Sequence, residues 1–179
     1  YTTLKYALDL CDNRLCTKAV EVLLDLSVLL TVYMRRQNEG IACAQQALEM
    51  ACSLGDLRLE AMARRIAAEN LSLHGSDLAP AVQFLECLLT QIEERGDLSE
   101  AGECCLNLAV SSYWMASVRR SHDVSRHRIT LLEGSQELYQ LRTAYTWRVL
   151  LFASQGAWME AEQAVEQARP IVDSLVTPM

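Results

Sequence analysis

Glycine and proline are scarce in this chain, which has seven glycines and three prolines among 179 residues. Collagen-like, linker-like and low-complexity disordered proteins carry far more of both, and the hydrophobic fraction of 51% is enough to offset the chain entropy of folding. No charged segment followed by an apolar stretch opens the sequence, and the longest apolar candidate, 20–33, is broken by Glu21 and Asp25. These absences predict a soluble, cytoplasmic protein with no membrane contact.

Basic residues are also in the minority, since 16 lysines and arginines face 23 aspartates and glutamates for a formal net charge of −7. Nucleic-acid binding needs clustered basic side chains that displace counterions, so we expect no direct nucleic-acid contact. The seven cysteines lack zinc-binding spacing. Six lie in apolar helical patterns, which predicts buried thiols in a reducing cytosol rather than a metal or redox site. They are Cys11, Cys43, Cys52, Cys87, Cys104 and Cys105.

Catalytic motifs are absent from the sequence, which has no glycine-rich phosphate loop, no Gly-x-Ser-x-Gly elbow and no His-Glu-x-x-His pair. His122 and His127 lie five positions apart, and about 500° of helical rotation puts them on different faces. We therefore predict that the segment is not an enzyme and that it holds neither a metal ion nor a cofactor.

Apolar residues recur at helical spacing from residue 2 to residue 175, and no stretch shows the strict alternation of a strand. The pattern predicts an all-α protein with one domain spanning 1–179. We expect helices at approximately 2–12, 15–36, 40–54, 57–74, 78–95, 98–115, 117–133, 136–155 and 157–175.

Two kinds of helix junction recur with one period. The first is seen at Gly55-Asp56 and, 41 residues later, at Gly96-Asp97. The second lies out of phase with the first, and its copies, 41 and 40 residues apart, are His74-Gly75, Met115-Ala116 and Gln155-Gly156. Two alternating junctions at one period indicate a helix hairpin repeated in tandem. Six of the seven glycines, all except Gly102, are expected at such junctions.

Small residues recur with the same period, at positions where a large side chain would push two crossing helices beyond about 8–10 Å. On the second helices they are Ala44, Ala81, Ser121 and Ala161, and on the first helices Val28, Ala68, Ala109 and Val149. The larger residues Leu48, Phe84 and Leu85 are expected to fill the space between neighbouring hairpins.

The last repeat, residues 155–168, resembles the second half of a tetratricopeptide repeat, with a turn glycine at Gly156, an aromatic residue at Trp158 and alanines at Ala161 and Ala168. Segments 40–51 and 75–88 resemble it more loosely. The resemblance implies a right-handed α-solenoid of about four antiparallel hairpins, preceded by one orphan helix. The period of about 40, against the usual 34, is similar to that in large ATP-binding transcription regulators of the LuxR and maltose-activator type.

The phase of the repeats leaves residues 2–11 without a first-helix partner, and Pro170 interrupts the last helical pattern with no polar capping helix after it. Because a solenoid needs polar caps at its ends, we expect the chain to be a piece of a longer protein.

In the tetratricopeptide-like arrangement the first helices line a concave groove, which is the expected site for a protein or peptide partner or a small effector. The residues placed there are Asp25, Leu29, Arg65, Glu69, Leu106, Val110, Tyr113, Trp114, Thr146 and Leu150. Tyr113 and Trp114 suit an interface, although Trp114 and Trp147 could instead pack between hairpins. Arg65 and Glu69, four positions apart, could simply pair with each other.

A basic patch is the one local concentration of positive charge, and its arginines are Arg119, Arg120, Arg126 and Arg128. It could dock an acidic partner or an anion through guanidinium contacts, or form a solvated helix face paired with Asp123 and Glu133. Asp56 and Asp97 precede helix starts and are predicted to cap them.

Together these features favour a binding module, with the sensor or coupling segment of a cytoplasmic transcription regulator as its setting. The alternative is a structural spacer or oligomerisation segment that forms a homodimer through open solenoid ends.

Overall fold

The computed structural model describes residues 1–10, 15–73, 78–135 and 137–176. Within these ranges the chain is all-α, as predicted, and contains no strand. Its helices are α1 (Thr2–Leu10), α2 (Thr17–Val28), a π-helix (Leu29–Tyr33), α3 (Gln37–Leu54), α4 (Leu57–Leu73), α5 (Leu78–Glu94), α6 (Leu98–Trp114), α7 (Val118–Glu133), α8 (Leu138–Ser154) and α9 (Trp158–Val176).

The chain divides into two compact units, Tyr1–Leu88 and Leu89–Met179, called unit 1 and unit 2. In unit 1, α2 packs on α3 and α3 on α4, around a core of leucine, valine, isoleucine and alanine side chains. In unit 2, α6 packs on α7, α7 on α8 and α8 on α9, and α6 also contacts α8. Sequential helices are thus neighbours in each unit, as short connections require.

The small residues predicted at close helix crossings are buried in the structure. Ala44, Ala81, Ser121 and Ala161 are all buried on the second helices, as are Ala68 and Ala109 on the first, while Val28 and Val149 are half-buried. Ser121 adds a specific bond, since its hydroxyl donates to the carbonyl of Ala109 at 2.7 Å. The hydroxyl therefore satisfies itself on the facing helix at a place with no room for a larger side chain.

Gly40 does not mark a junction, contrary to the prediction, because it lies inside α3 and is buried. A Cβ atom there would lie 2.0 Å from Thr31 Oγ1 and 2.9 Å from the carbonyl oxygen of Ser27. The Ser27 hydroxyl donates to the Gly40 carbonyl and accepts from the Asn70 side-chain amide, both at 2.8 Å. Gly40 thus permits a close helix contact that a buried hydrogen-bond chain reinforces.

Three glycines do occupy left-handed turns, at Gly55, Gly96 and Gly156, but the same conformation is also taken by Arg35 and Ala116. Gly134 follows α7 with a φ of −91°, so its turn needs no glycine. The residues of the His74-Gly75 junction lie outside the described part of the chain.

The helical interruption predicted at Pro170 is wrong, because α9 continues through this residue. Pro170 is exposed, so water can solvate the carbonyl that loses its N–H partner. The predicted helix at 15–36 is also divided, since its last turns form the π-helix and Met34 N–H donates to the Leu29 carbonyl at 3.0 Å.

The two predicted aspartate caps are confirmed. Asp56 Oδ1 accepts from the N–H groups of Arg58 and Leu59, both at 3.1 Å, and Asp97 Oδ1 accepts from that of Glu100 at 3.1 Å. Each carboxylate satisfies backbone donors that the first helical turn leaves free.

The predicted burial of the cysteines holds for Cys104 and Cys105 but is wrong for Cys52 and Cys87, which are exposed. Cys43 is half-buried, and Cys11 lies outside the described residues. A thiol is small enough to occupy the edge of an apolar helical stripe, so its place in the pattern does not fix its exposure.

Candidate functional site

The best-formed surface cluster lies on α6 and α8 in unit 2, and we call it the α6/α8 face. On α6, Leu106, Val110 and Tyr113 are four and three positions apart and share one side of the helix. The complete set is Leu106, Val110, Tyr113, Trp114, Thr146, Trp147 and Leu150. The structure therefore brings the predicted groove residues of unit 2 onto two adjacent helices.

Three aromatic rings form the centre of the α6/α8 face. Tyr113 meets Trp114 edge-on with ring centroids 5.7 Å apart, and it meets Trp147 of α8 edge-on at 6.0 Å. Such T-shaped pairs add to the stability gained from burial alone. Trp147 is half-buried, with an indole N–H that is enclosed and has no hydrogen-bond partner among the described residues.

The exposed part of this face is apolar. Trp114 is 69% exposed and Leu150 is 54% exposed, so the alternative that Trp114 packs between hairpins is wrong. Thr146 is exposed too, but its hydroxyl donates back to the Arg142 carbonyl at 3.0 Å. The face consequently offers large apolar side chains around a rigid aromatic centre and few free polar groups.

Arg128 does not belong to the surface patch predicted for it, because it is 1% exposed. Its Nη2 atom lies 3.3 Å from Glu103 Oε1 on α6 and donates to Thr143 Oγ1 on α8 at 3.1 Å. Since Glu103 is only one-third exposed, this is a largely desolvated ion pair that joins three helices. Its role is structural.

The remaining patch arginines are accessible to different degrees. Arg119 and Arg126 are exposed, Arg120 is half-buried, and Arg126 pairs with Asp123 at 3.8 Å, as one alternative predicted. A shallow cavity of about 490 Å³ runs along the start of α7. It is lined by Ala116, Ser117, Val118, Arg119, Arg120 and Asp123.

Arg65 and Glu69 lie together on α4 in unit 1, and their side chains approach to 3.7 Å, which supports the prediction that they pair. Arg65 is only 8% exposed, so it offers little surface to a ligand. Asp25 on α2 is exposed, but partial burial, followed by the charge of Glu21, raises the pKa of its carboxyl. Leu29 is half-buried in the π-helix.

Unit 1 also contains an apolar cavity of about 510 Å³. Its lining is Leu48, Arg64, Ala67, Ala68, Pro80, Ala81 and Phe84. Leu48 and Phe84 thus border a space that they were predicted to fill, and Phe84 is partly exposed. Arg64 is its one charged residue and is ion-paired with Glu60.

Burial also controls the titration of two groups in unit 2. Burial, followed by the charge of Glu93, raises the pKa of the Cys105 thiol to about 12, although Arg128 opposes the shift. Burial and the nearby Glu133 carboxylate raise the pKa of Tyr145, whose hydroxyl donates to Glu133 Oε1 at 3.3 Å. Cys105 is thus a protonated, enclosed thiol rather than a nucleophile.

The two histidines of α7 contact different elements, as their spacing predicted. His122 stacks on Phe152 of α8 with ring centroids 4.8 Å apart, and His127 Nε2 lies 2.5 Å from Glu93 Oε1 of α5. In the described part of the chain, no three histidine, cysteine or acidic side chains converge as a metal site would require. There, too, no helix has the length and apolar character to cross a bilayer.

Sequence reasoning missed two features of unit 2. Arg128 keeps helical register with the buried residues Ser121, Ser125 and Leu132, and this register was the available signal for its burial. Arg148, Phe152 and Gln155 of α8 were not recognised as neighbours of the basic patch. They follow it by some twenty residues, and only the packing of α7 on α8 brings them together.

Comparison with known proteins supports the fold and leaves the family open. No protein-family model and no curated protein matches the chain. Among solved structures, the chain is similar to the crystal structure of BtubC (BKLC) from P. vanneervenii, with a TM-score of 0.71 and 14% sequence identity. The match covers 99% of this chain and 74% of that chain. At this identity the similarity shows a shared all-helical fold and nothing of partners.

Proposed function

We propose that this chain is a helical-repeat binding module that holds a protein or peptide partner against the α6/α8 face. The observation that carries the proposal is the aromatic cluster, in which Tyr113 contacts both Trp114 and Trp147 while Trp114 remains 69% exposed. An exposed tryptophan next to a rigid aromatic centre is the arrangement that dominates binding energy in protein interfaces.

The chemistry of this face favours a partner with apolar anchor residues. Leu150 and Trp114 offer apolar area, and Leu106 and Val110 extend it along α6 as half-buried side chains. Because the ring of Tyr113 is fixed between its neighbours, ordering the face costs little conformational entropy. An amphipathic helix or an extended apolar peptide would bury these side chains.

A peptide library displayed on phage, panned on the purified protein, provides a probe for the test. The affinity of a selected peptide is then measured by calorimetry for Trp114→Ala and Leu150→Ala. We expect Trp114→Ala to weaken binding by about 2 kcal/mol or more, the scale of an interface hot spot.

Trp158→Ala supplies the matched control, because Trp158 is an equally exposed tryptophan on α9. It should leave the affinity within about twofold, as a residue outside the interface does. Selected peptides that bind the Trp114→Ala and Trp158→Ala variants equally well would overturn the assignment of the α6/α8 face.

The setting of this module is proposed from the repeats. The alternating junctions support a right-handed α-solenoid of about four hairpins plus a leading helix, within one tetratricopeptide-like domain. The period of about 40 supports a sensor or coupling segment in a cytoplasmic transcription regulator. Sequencing the parent gene tests this, since we expect it to encode a nucleotide-binding module and a helix-turn-helix.

An oligomerisation segment is the second candidate, and one observation favours it. Trp158, Val165 and Val172 of α9 lie seven positions apart and are all substantially exposed, with Met159 beside them. This stripe would suit a second copy of the chain. Sedimentation velocity over a wide concentration range distinguishes the two functions, because a monomer at every concentration contradicts self-association.

A further inference from the structure

A cationic cluster forms where α7 packs on α8, and it differs from the basic patch predicted from the sequence. His122 and Arg126 lie four positions apart on α7, and Arg148, Phe152 and Gln155 lie four and three apart on α8. Each set therefore occupies one side of its helix. We call these five residues the α7/α8 cluster.

Direct contacts connect the cluster across the two helices. The Phe152 ring stacks on His122 at 4.8 Å and carries the Arg148 guanidinium 5.3 Å from its centroid. The side-chain nitrogen of Gln155 lies 2.7 Å from His122 Nε2 and also donates to the Leu151 carbonyl at 2.6 Å. Phe152 thus holds the Arg148 guanidinium in place beside an anchored imidazole.

The charge of this cluster is incompletely balanced. Arg126 has one carboxylate partner, Asp123, at 3.8 Å between two well-exposed side chains, a weak pair. Arg148 forms no ion pair with any residue of the described ranges. Partial burial, and then the proximity of Arg126, lowers the pKa of Arg148, which shows that the two guanidinium groups repel each other. An anion between them would relieve that repulsion.

We propose that the α7/α8 cluster is a docking site for an acidic segment of a partner protein, in which Arg126 and Arg148 receive an aspartate or glutamate side chain. Two guanidinium groups, one of them partly neutralised by Asp123, leave about one unit of positive charge. This suits a singly charged carboxylate better than a doubly charged phosphate. A nucleic-acid backbone is disfavoured further by the net charge of −7.

A fluorescein-labelled peptide of alternating glutamate, glycine and serine tests the proposal by fluorescence anisotropy, with an otherwise identical glutamine peptide as its control. We expect Arg126→Gln and Arg148→Gln each to weaken binding of the glutamate peptide by about tenfold, as loss of a charge-assisted hydrogen bond predicts. The glutamine peptide should show no saturable binding.

Arg169→Gln is the matched control, because it removes the same charge from an exposed arginine of α9 that pairs with Glu166. Its affinity for the glutamate peptide should stay within about twofold of the unmodified protein. Equal losses in all three variants would show an effect of net charge alone and overturn the proposal. Tighter binding of a phosphoserine peptide, or displacement by an oligonucleotide of equal charge, would overturn the assignment of a carboxylate partner.

The α6/α8 face and the α7/α8 cluster are tested independently. Arg148→Gln should leave unchanged the affinity of a peptide selected for its dependence on Trp114, and Trp114→Ala should leave glutamate-peptide binding unchanged. Failure of one proposal is therefore distinguishable from failure of the other.

Discussion

Ala116 and Gly156, 40 residues apart, occupy equivalent positions in the turns after α6 and α8, with φ angles of 58° and 72°. In both turns the left-handed residue donates to a carbonyl three positions back, Tyr113 for Ala116 and Ala153 for Gly156. The next N–H reaches five positions back, as in a Schellman motif. The third repeat thus keeps its turn geometry although it lacks the glycine.

Ala116→Gly is expected to stabilise the protein, because alanine pays a steric cost in the left-handed region that glycine avoids. The expected gain in the free energy of unfolding is about 0.5–1 kcal/mol, measured by urea denaturation. Gly156→Ala, the reciprocal change, should lose about 1 kcal/mol, since no atom within 4 Å of its added Cβ contributes any other effect. Effects of the same sign would contradict this explanation.

Gly40→Ala is expected to destabilise the protein by about 3 kcal/mol, because its Cβ atom would overlap the Thr31 hydroxyl and crowd the Ser27 carbonyl. Thermal denaturation measures the loss. Adding Thr31→Ala should recover part of it, since the closest atom is then absent. Gly134→Ala is the control, because it has open space and a negative φ, and it should be neutral or slightly stabilising.

Arg128→Ala should lower the free energy of unfolding by about 3 kcal/mol or more, because it removes a buried side chain and the partner of Glu103. Arg128→Met keeps most of the volume, and Glu103 can still reach water, so its loss should be about 1 kcal/mol. Arg169→Ala should change stability by less than about 0.5 kcal/mol, as expected for an exposed pair. Equal effects of Arg128→Ala and Arg169→Ala would show that the buried contacts contribute little.

Stability should decline as the pH rises above about 9, because the pKa of Cys105 is about 12 in the folded protein against 9.0 ordinarily. In this interval the unfolded chain releases the thiol proton and the folded chain retains it, so rising pH favours unfolding. Below pH 9 both states keep the proton and the contribution is constant. Tyr145, whose pKa is also raised, adds to the decline at higher pH.

Cys105→Ala should reduce the slope of unfolding free energy against pH in this alkaline range, measured by urea denaturation at several pH values. Cys52→Ala removes an exposed thiol and should leave the slope as it is. An unchanged slope in Cys105→Ala would mean that this thiol is not the titrating group.

Local features of the fold were predictable from the sequence because short-range physics determines them. Apolar spacing gave the all-α class, Asp56 and Asp97 announced their helix starts, and the small residue at Ser121 indicated a close helix crossing. Each depends on residues within a few helical turns. Gly40 shows the limit, because a turn and a close helix contact both demand glycine, and only the packing of Thr31 against it distinguishes them.

The candidate sites were predictable only in part, because they join residues from different helices. Tyr113 and Trp114 were identified from α6 alone, but the contact with Trp147 that fixes their rings depends on how α6 meets α8. The basic patch was identified by its charge, yet charge alone could not show that Arg128 points inward.

The sequence by itself determined the helices, their order and their caps, since hydrogen bonding and apolar periodicity act along a single helix. Tertiary structure alone decided which charges stay available. It buried Arg128 against Glu103 and Thr143, where desolvation demands partners, and it placed Arg148 beside Arg126, where the two charges remain incompletely balanced. Charge and burial compete in three dimensions, so the cation that matters for binding is set by the packing of α7 on α8.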